Sequence, residues 1–366
     1  MHYIETLGKD GDIGMTTNPI KVLIVDDSAF IRKTIVGLLN SEPGIHVVGE
    51  GVDGEDAIQK VRTLAPDIMT MDIEMPRING LDALRIIMEK NPVPVIMVSS
   101  LTEESAREII KALEYGAVDF IPKNLSGNIT NIVNIKNELI EKIKLFGKRK
   151  IVHHRNERGS EGVKPALPLG RCFPLGRNKI NIVVIGASTG GPKSLQDVIP
   201  RLPKNFPCGV LIVQHMLPVF TASFAERIKE MSHIEVREAR DGDTITPGLA
   251  LVAPGGFHLT VKKRSTGEHR ISLSKEPPMP HMPSVDVTMK SVAQVYSEHV
   301  LGVIMTGMGR DGQEGIKAIK RVKGKTIAQD EASSVIFGMP KAAIESGCID
   351  KVVPLGKIAE EIINMF

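Results

Sequence analysis

Tryptophan is absent from the 366 residues, and aromatic side chains of every kind make up only 4%. A surface that stacks nucleic-acid bases uses more of them, which argues against a base-binding protein. Charge of one sign is missing too. Lys and Arg number 46 against 43 Asp and Glu, a net of +3, too small at this length to call for a polyanion partner. The three cysteines, Cys172, Cys208 and Cys348, form no C-x-x-C pair and no metal-ligand spacing. A disulfide-stapled secreted protein is therefore not expected, and a reducing cytoplasm fits. Long hydrophobic runs are also lacking, and none reaches the roughly 18 apolar residues of a membrane span. Residues 1–12 are polar and mixed in charge, without the basic-then-apolar pattern of a signal peptide. What is left is an ordinary soluble composition, 42% hydrophobic and 24% charged. The length predicts two domains, each large enough for its own core.

Residues 20–146 alternate short β-like runs (21–25, 46–48, 68–71, 95–98, 118–121) with amphipathic stretches (29–40, 55–63, 81–90, 103–114, 128–146). Five βα units predict a parallel sheet covered on both faces. Residues 147–179 break the rhythm. They are basic and punctuated by Pro and Gly, and read as an interdomain linker. Residues 1–19 read as an N-terminal extension. Residues 180–366 resume the α/β alternation of a doubly wound, mostly parallel sheet. One antiparallel hairpin interrupts it, 259–263 with 270–274. A Pro-rich loop follows, Glu276-Pro277-Pro278-Met279-Pro280-His281-Met282-Pro283, of a kind that is often functional.

Chemistry-bearing residues collect at the ends of the predicted strands. In the first half Asp26-Asp27 follows the first strand, Asp72 ends the third, Ser99-Ser100 ends the fourth and Lys123 follows the fifth. In one parallel sheet these positions converge. Clustered carboxylates attract Mg²⁺, a hard cation that keeps several waters. A carboxylate can attack a phosphoryl group, and a metal and a lysine can neutralise the phosphoryl oxygens. Any one acid here could simply cap a helix. Four aligned strand ends with Asp, Asp, Ser and Lys make the phosphoryl-transfer pocket the better reading.

In the second half three apolar runs, 180–185, 210–213 and 300–305, lead into Gly186-Ala187-Ser188-Thr189-Gly190-Gly191, Gln214-His215 and Thr306-Gly307-Met308-Gly309-Arg310-Asp311-Gly312. As parallel strands they bring Ser188, His215 and Asp311 to one sheet edge, where open α/β sheets bind ligands. Together these three make a hydrolase triad. G-x-S-x-G fits a nucleophile elbow, but the order Ser, His, Asp differs from the Ser, acid, His of α/β hydrolases. A phosphate loop is the rival reading. Pro192 stands between Gly191 and Lys193, displacing the lysine and removing an N–H the cradle would use. His258 and His281 compete for the base, and Asp286 competes for the third member. His215 and Asp311 are favoured because each follows a strong apolar strand. Asp286 reads as ordering the helix that follows it.

Two resemblances emerge from these motifs. Residues 20–145 resemble the receiver domain of response regulators through Val25-Asp26-Asp27-Ser28, Met71-Asp72-Ile73-Glu74-Met75-Pro76, Val98-Ser99-Ser100 and Phe120-Ile121-Pro122-Lys123. The resemblance implies that Asp72 is phosphorylated by a histidine kinase. Asp26, Asp27 and Asp72 would hold Mg²⁺, with Ser99, Phe120 and Lys123 as the switch residues. The second half resembles the catalytic domain of the chemotaxis protein-glutamate methylesterases through Ile185-Gly186-Ala187-Ser188-Thr189-Gly190-Gly191-Pro192, Gln214-His215-Met216, Ala253-Pro254-Gly255-Gly256-Phe257-His258, Pro283-Ser284-Val285-Asp286 and Met305-Thr306-Gly307-Met308-Gly309-Arg310-Asp311-Gly312.

Together they imply a cytoplasmic, phosphorylation-activated esterase. It would release methanol from glutamate methyl esters on chemoreceptor cytoplasmic domains and deamidate receptor glutamines. Ser188 would be the nucleophile, His215 the base and Asp311 its orienting acid, with no cofactor for the ester reaction. Thr189, Met308, His281 and Ser284 are the oxyanion or substrate-site candidates. Nucleic-acid binding and membrane insertion are not expected. The alternative is a response regulator with a non-catalytic partner- or DNA-binding output domain. Residues 180–366 show neither helix-turn-helix spacing nor a basic face to support it.

Overall fold

The structure, a computed structural model, describes residues 18–100, 102–123, 129–148, 180–265 and 267–366. Nearly all of the expected linker, 147–179, and of the expected extension, 1–19, lies outside them. The first half runs β1 (Ile20–Val25), α1 (Ala29–Asn40), β2 (Ile45–Gly51), α2 (Gly54–Leu64), β3 (Ile68–Asp72), α3 (Gly80–Lys90), β4 (Val95–Ser99), α4 (Glu103–Tyr115), β5 (Asp119–Pro122) and α5 (Ile129–Phe146). The strands pair in parallel in the order β2-β1-β3-β4-β5. β3 and β4 are buried at every position, as a strand covered on both faces should be.

Local chemistry sets the helix starts. Ser28, Asp53, Asn79 and Thr102 each accept a backbone N–H from the first turn of α1 to α4, satisfying donors that no helical carbonyl reaches. Ser28 therefore does the capping before α1; Asp26 accepts the Ser28 N–H on Oδ1 at 2.9 Å, which leaves its Oδ2 and the Asp27 carboxylate for other work. The chain order reverses between β1 and β3. That switch point sets Asp26-Asp27 beside Asp72.

The second half runs β6 (Ile182–Ala187), α6 (Gly191–Val198), β7 (Gly209–Gln214), α7 (Pro218–Met231), β8 (Glu235–Glu238), β9 (Leu249–Val252), β10 (His258–Lys263), β11 (His269–Ser274), α8 (Val285–Tyr296), β12 (Val300–Ile304), α9 (Gln313–Arg321), β13 (Lys325–Gln329), α10 (Met339–Glu345), β14 (Lys351–Val353) and α11 (Leu355–Asn364). Seven strands form one parallel sheet, ordered β14-β13-β12-β6-β7-β9-β8. β10 and β11 pair antiparallel as a separate two-stranded sheet, the expected hairpin. β12, β6 and β7 are neighbours and are buried throughout. The connection reverses between β12 and β6, so the second switch point lies where Ser188 and Asp311 emerge. Cys208 is buried in this core, and burial pushes its thiol well above the ordinary range, as befits an inert packing residue.

The two halves pack on each other. α4 lies against α6 and α7. Glu114 at the end of α4 takes two hydrogen bonds from Arg227 of α7, at 2.5 and 2.9 Å. It takes a third from Gln196 of α6 at 3.2 Å. Phe120 of β5 sits 4.6 Å, ring centre to ring centre, from Phe220 of α7. Ile336 belongs to the same apolar cluster as Leu139, Ile140 and Ile143 of α5, and Met308 and Val335 pack against that cluster.

Candidate active site

Ser188 leaves the end of β6 in a tight turn. Its N–H donates to the Thr306 carbonyl at 3.0 Å, and its own carbonyl accepts from Gly191 N–H at 2.7 Å. Gly307 makes that closeness possible, because a Cβ on it would lie 2.8 Å from Ser188 Cβ. Gly190 adopts φ +75 at the entrance to α6, a left-handed conformation that glycine takes without steric cost.

His215 follows β7, and its backbone N–H donates to the carbonyl of Ala187, Ser188's neighbour, at 3.1 Å. Gln214 ties the two turns together. Its Nε2 donates to the carbonyls of Ser188 at 2.9 Å and His215 at 3.1 Å. Sequence reasoning gave Gln214 no role. The only signal available was its place between an apolar strand and a histidine.

The His215 ring donates from Nε2 to Asp311 Oδ2 at 2.8 Å. Asp311 accepts four further bonds. Oδ2 takes Val285 N–H at 2.7 Å, and Oδ1 takes Ser284 Oγ–H at 2.9, Asp286 N–H at 3.0 and Gly312 N–H at 3.1 Å. Asp311 thus stands at the N-terminus of α8, where backbone donors and the helix dipole favour negative charge. Burial raises its pKa, but the His215 bond and the amide donors outweigh burial and bring it down to about 2. It is a fixed anion.

His215 Nδ1, by contrast, is buried and has no hydrogen-bond partner among the described residues. Buried polar atoms almost always have one. With the proton on Nε2, Nδ1 carries the free lone pair a general base needs. Ser188 is half-buried on the neighbouring turn, and its Oγ makes no hydrogen bond among the described residues. No carbonyl among the described residues takes the backbone N–H of Thr189 or Met308, the two expected oxyanion donors.

The other candidates take different places. His281 stacks on His215, with ring centres 4.4 Å apart and planes 15° from parallel. Its outer face is open to solvent. Burial of the inner face and the neighbouring His215 lower its pKa, against the smaller opposing pull of Asp311 and Glu138. Ser284, expected near the substrate, is 1% exposed and bonded to Asp311, so it supports the acid rather than meeting a substrate. Asp286, expected to order its own helix, instead accepts Gly312 N–H at 2.9 Å and Gly315 N–H at 2.7 Å. It therefore caps α9, the helix that follows Asp311. His258 is fully buried with both ring nitrogens occupied, which removes it as a base.

In the first half, Lys123 Nζ lies 2.8 Å from Asp26 Oδ2 and 2.5 Å from Asp72 Oδ2. Oxygens of Asp26, Asp27 and Asp72 lie within 4.8 Å of one another. This all-oxygen set, two carboxylates buried and one exposed, fits a hard divalent cation. Burial raises the pKa of Asp72, Lys123 only partly offsets this, and the balance is about 6. Ser99 is buried and its Oγ is unpartnered among the described residues. Lys142 of α5 donates to the Phe120 carbonyl at 2.8 Å and lies 5.8 Å from the centre of its ring. No helix among the described residues is long and apolar enough to cross a membrane.

Comparisons with known proteins agree with both halves. Residues 22–134 match the model of the response regulator receiver domain family, and residues 183–362 that of the CheB methylesterase family. A protein-glutamate methylesterase/protein-glutamine glutaminase of Pyrococcus abyssi is 49% identical over 358 residues, 96% of this chain and 94% of that protein. One from Syntrophomonas wolfei is 43% identical, over 94% of this chain and 99% of that protein. The crystal structure of the Thermotoga maritima CheB methylesterase catalytic domain is 45% identical with a TM-score of 0.50, covering 51% of this chain and 99% of that one. Two matched halves in this order, with such identity along almost the whole length, make the chain a member of the CheB methylesterase family that carries a response regulator receiver domain in front of its catalytic domain.

Proposed function

We propose that this chain hydrolyses glutamate methyl esters on the cytoplasmic helices of chemoreceptors, and deamidates glutamines there, by a Ser188–His215–Asp311 mechanism. The observation that carries the reading is the buried, unpartnered Nδ1 of a histidine whose Nε2 is bonded to an ionised aspartate. Ser188 Oγ attacks the γ-carbonyl carbon as its proton passes to His215 Nδ1. The carbonyl oxygen becomes an oxyanion facing the N–H groups of Thr189 and Met308. Asp311 stabilises the imidazolium. His215 returns the proton to the leaving oxygen or nitrogen, and methanol or ammonia departs from an acyl-Ser188. Water then repeats the sequence and frees the carboxylate. The exposed side chains of Leu217, Phe257 and Met279, on the segments that carry His215, His258 and His281, offer an apolar rim to a substrate helix.

Control comes from the first half, with a chemotaxis histidine kinase as phosphodonor and Asp72 as acceptor. Asp26, Asp27 and Asp72 would hold a Mg²⁺ ion, which would supply neutralising charge for the phosphoryl oxygens. The Lys123 ammonium, already on Asp72, would transfer its contact to the phosphoryl group. Packing of α4 on α6 and α7, and of the α5 cluster beside Met308, supports a receiver that covers the substrate cleft and moves away on phosphorylation. The acyl-enzyme is the direct test. Acid-quenched reactions with a methylated receptor fragment should yield a receptor peptide ester-linked to Ser188, identified by mass spectrometry. An acyl group on another residue would overturn the assignment.

A further inference from the structure

We propose that His258 is a positioning residue for the ester reaction, fixing Asp311 through Ser284 and pinning the loop that lays His281 on His215. The inference rests on the triad reading above. His258 opens β10 and has 0% of its surface exposed. A buried imidazole with no exposed edge has to be bonded at both nitrogens to be tolerated. Its partners lie on two sides of the site. Nε2 meets the carbonyl of Pro277 at 2.9 Å, and Nδ1 meets the N–H of Ser284 at 3.2 Å. A carbonyl can only accept and an amide N–H can only donate. The ring therefore carries its proton on Nε2 and a lone pair on Nδ1.

Each end of this clamp does something different. Ser284 is the N-cap of α8. Its own N–H lies outside the helix ladder, and His258 supplies its acceptor. Ser284 so held sends Oγ–H to Asp311 Oδ1 at 2.9 Å, and the next two amides, Val285 and Asp286, also bond Asp311. A continuous path runs from Pro277 through His258, Ser284 and Asp311 to His215 Nε2. At the other end, Pro277 is the start of the loop that bears His281. Gly256 N–H, two residues before His258, also bonds the Met282 carbonyl at 2.9 Å. The 256–258 segment therefore grips the loop at both sides of His281, whose ring lies on the base. An apolar side chain at 258 would fill the space yet leave Ser284 N–H and the Pro277 carbonyl without partners. The triad would remain present but loosely held, and misplacement of about 1 Å costs roughly 10²-fold in rate.

Three variants separate the two ends. His258→Asn puts an acceptor near the place of Nδ1, toward Ser284. His258→Gln puts a donor near the place of Nε2, toward Pro277. His258→Leu keeps neither. Methanol release from a methylated receptor fragment, measured with the full chain, gives kcat and KM, and thermal melting gives stability. His258→Leu should lower kcat about 10- to 100-fold with KM changed less than about threefold. His258→Asn should recover kcat to within about fivefold of wild type and exceed His258→Gln. Equal kcat for Asn and Gln, a loss confined to KM, or kcat unchanged in all three would overturn the proposal. If His258→Leu does not fold, the order of Asn and Gln decides. Ser188→Ala, run alongside, keeps the two readings apart. Activity surviving in Ser188→Ala sinks the triad itself, whereas an inactive Ser188→Ala with kcat unchanged in all three His258 variants sinks only the clamp.

Discussion

His215 spends Nε2 on Asp311 and leaves Nδ1 buried without a partner among the described residues. The sequence names both residues but says nothing of which nitrogen serves which partner. That depends on the approach of α8, which brings the Val285 and Asp286 amides to Asp311 from 26 and 25 residues away. Replacing Asp311 by Asn puts an amide where an anion is needed and should cost about 10³- to 10⁴-fold in kcat, read from methanol release. The same residue ties stability to acid. Its pKa falls from 3.8 to about 2 on folding, a contribution of about 2 kcal/mol. It is fully present above roughly pH 4 and lost as pH falls toward 2, so urea midpoints followed down this range should drop faster in wild type than in Asp311→Asn. Asp72 is shifted the other way, up to about 6. Below that pH its proton competes with a cation, so Mg²⁺ affinity measured by calorimetry should weaken from pH 7 to pH 5, with proton release on binding near pH 6. Affinity independent of pH across that window would remove Asp72 from the ligand set.

At the scale of elements, α8 and α9 hold each other's approach to the site. Asp311, just before α9, accepts from the first amides of α8, and Asp286, in α8, accepts from Gly312 and Gly315 at the start of α9. Each carboxylate lies within a few residues of one helix start and works at the other. For that reason Asp286 reads from sequence as serving its own helix. The strand ends were legible because apolar runs followed by Asp, Ser or His are local patterns. The crossed caps and the Gln214 bridge were not, because they exist only once β6, β7 and β12 lie side by side. The α4–α7 contact is equally non-local, since Glu114 and Arg227 are 113 residues apart. Removing this two-bond ion pair with Arg227→Ala should weaken docking by about 1–2 kcal/mol. Basal methanol release should then rise about five- to thirtyfold, with the fully phosphorylated rate unchanged. A basal rate equal to wild type would mean that this contact does not restrain the enzyme.

For the whole molecule, the two switch points are the organising fact. Each half is a parallel sheet whose order reverses once, β1 with β3 and β12 with β6, and each reversal gathers side chains into a pocket. The alternation of apolar runs and helices made both sheets legible, and the motifs at their ends fixed which pocket does which chemistry. How the halves dock was not legible, because Phe120 against Phe220 and Ile336 in one cluster with α5 leave no periodic trace. Deleting residues 1–150 should raise basal activity if the receiver covers the cleft, and a catalytic half no faster than the full chain would rule that out. The most direct test of the account is methanol release from methylated receptor by the full chain, with and without a small-molecule phosphodonor and Mg²⁺. The account predicts release that accelerates on phosphorylation of Asp72 and falls by several orders of magnitude in Ser188→Ala. Release by Ser188→Ala at the wild-type rate would contradict it.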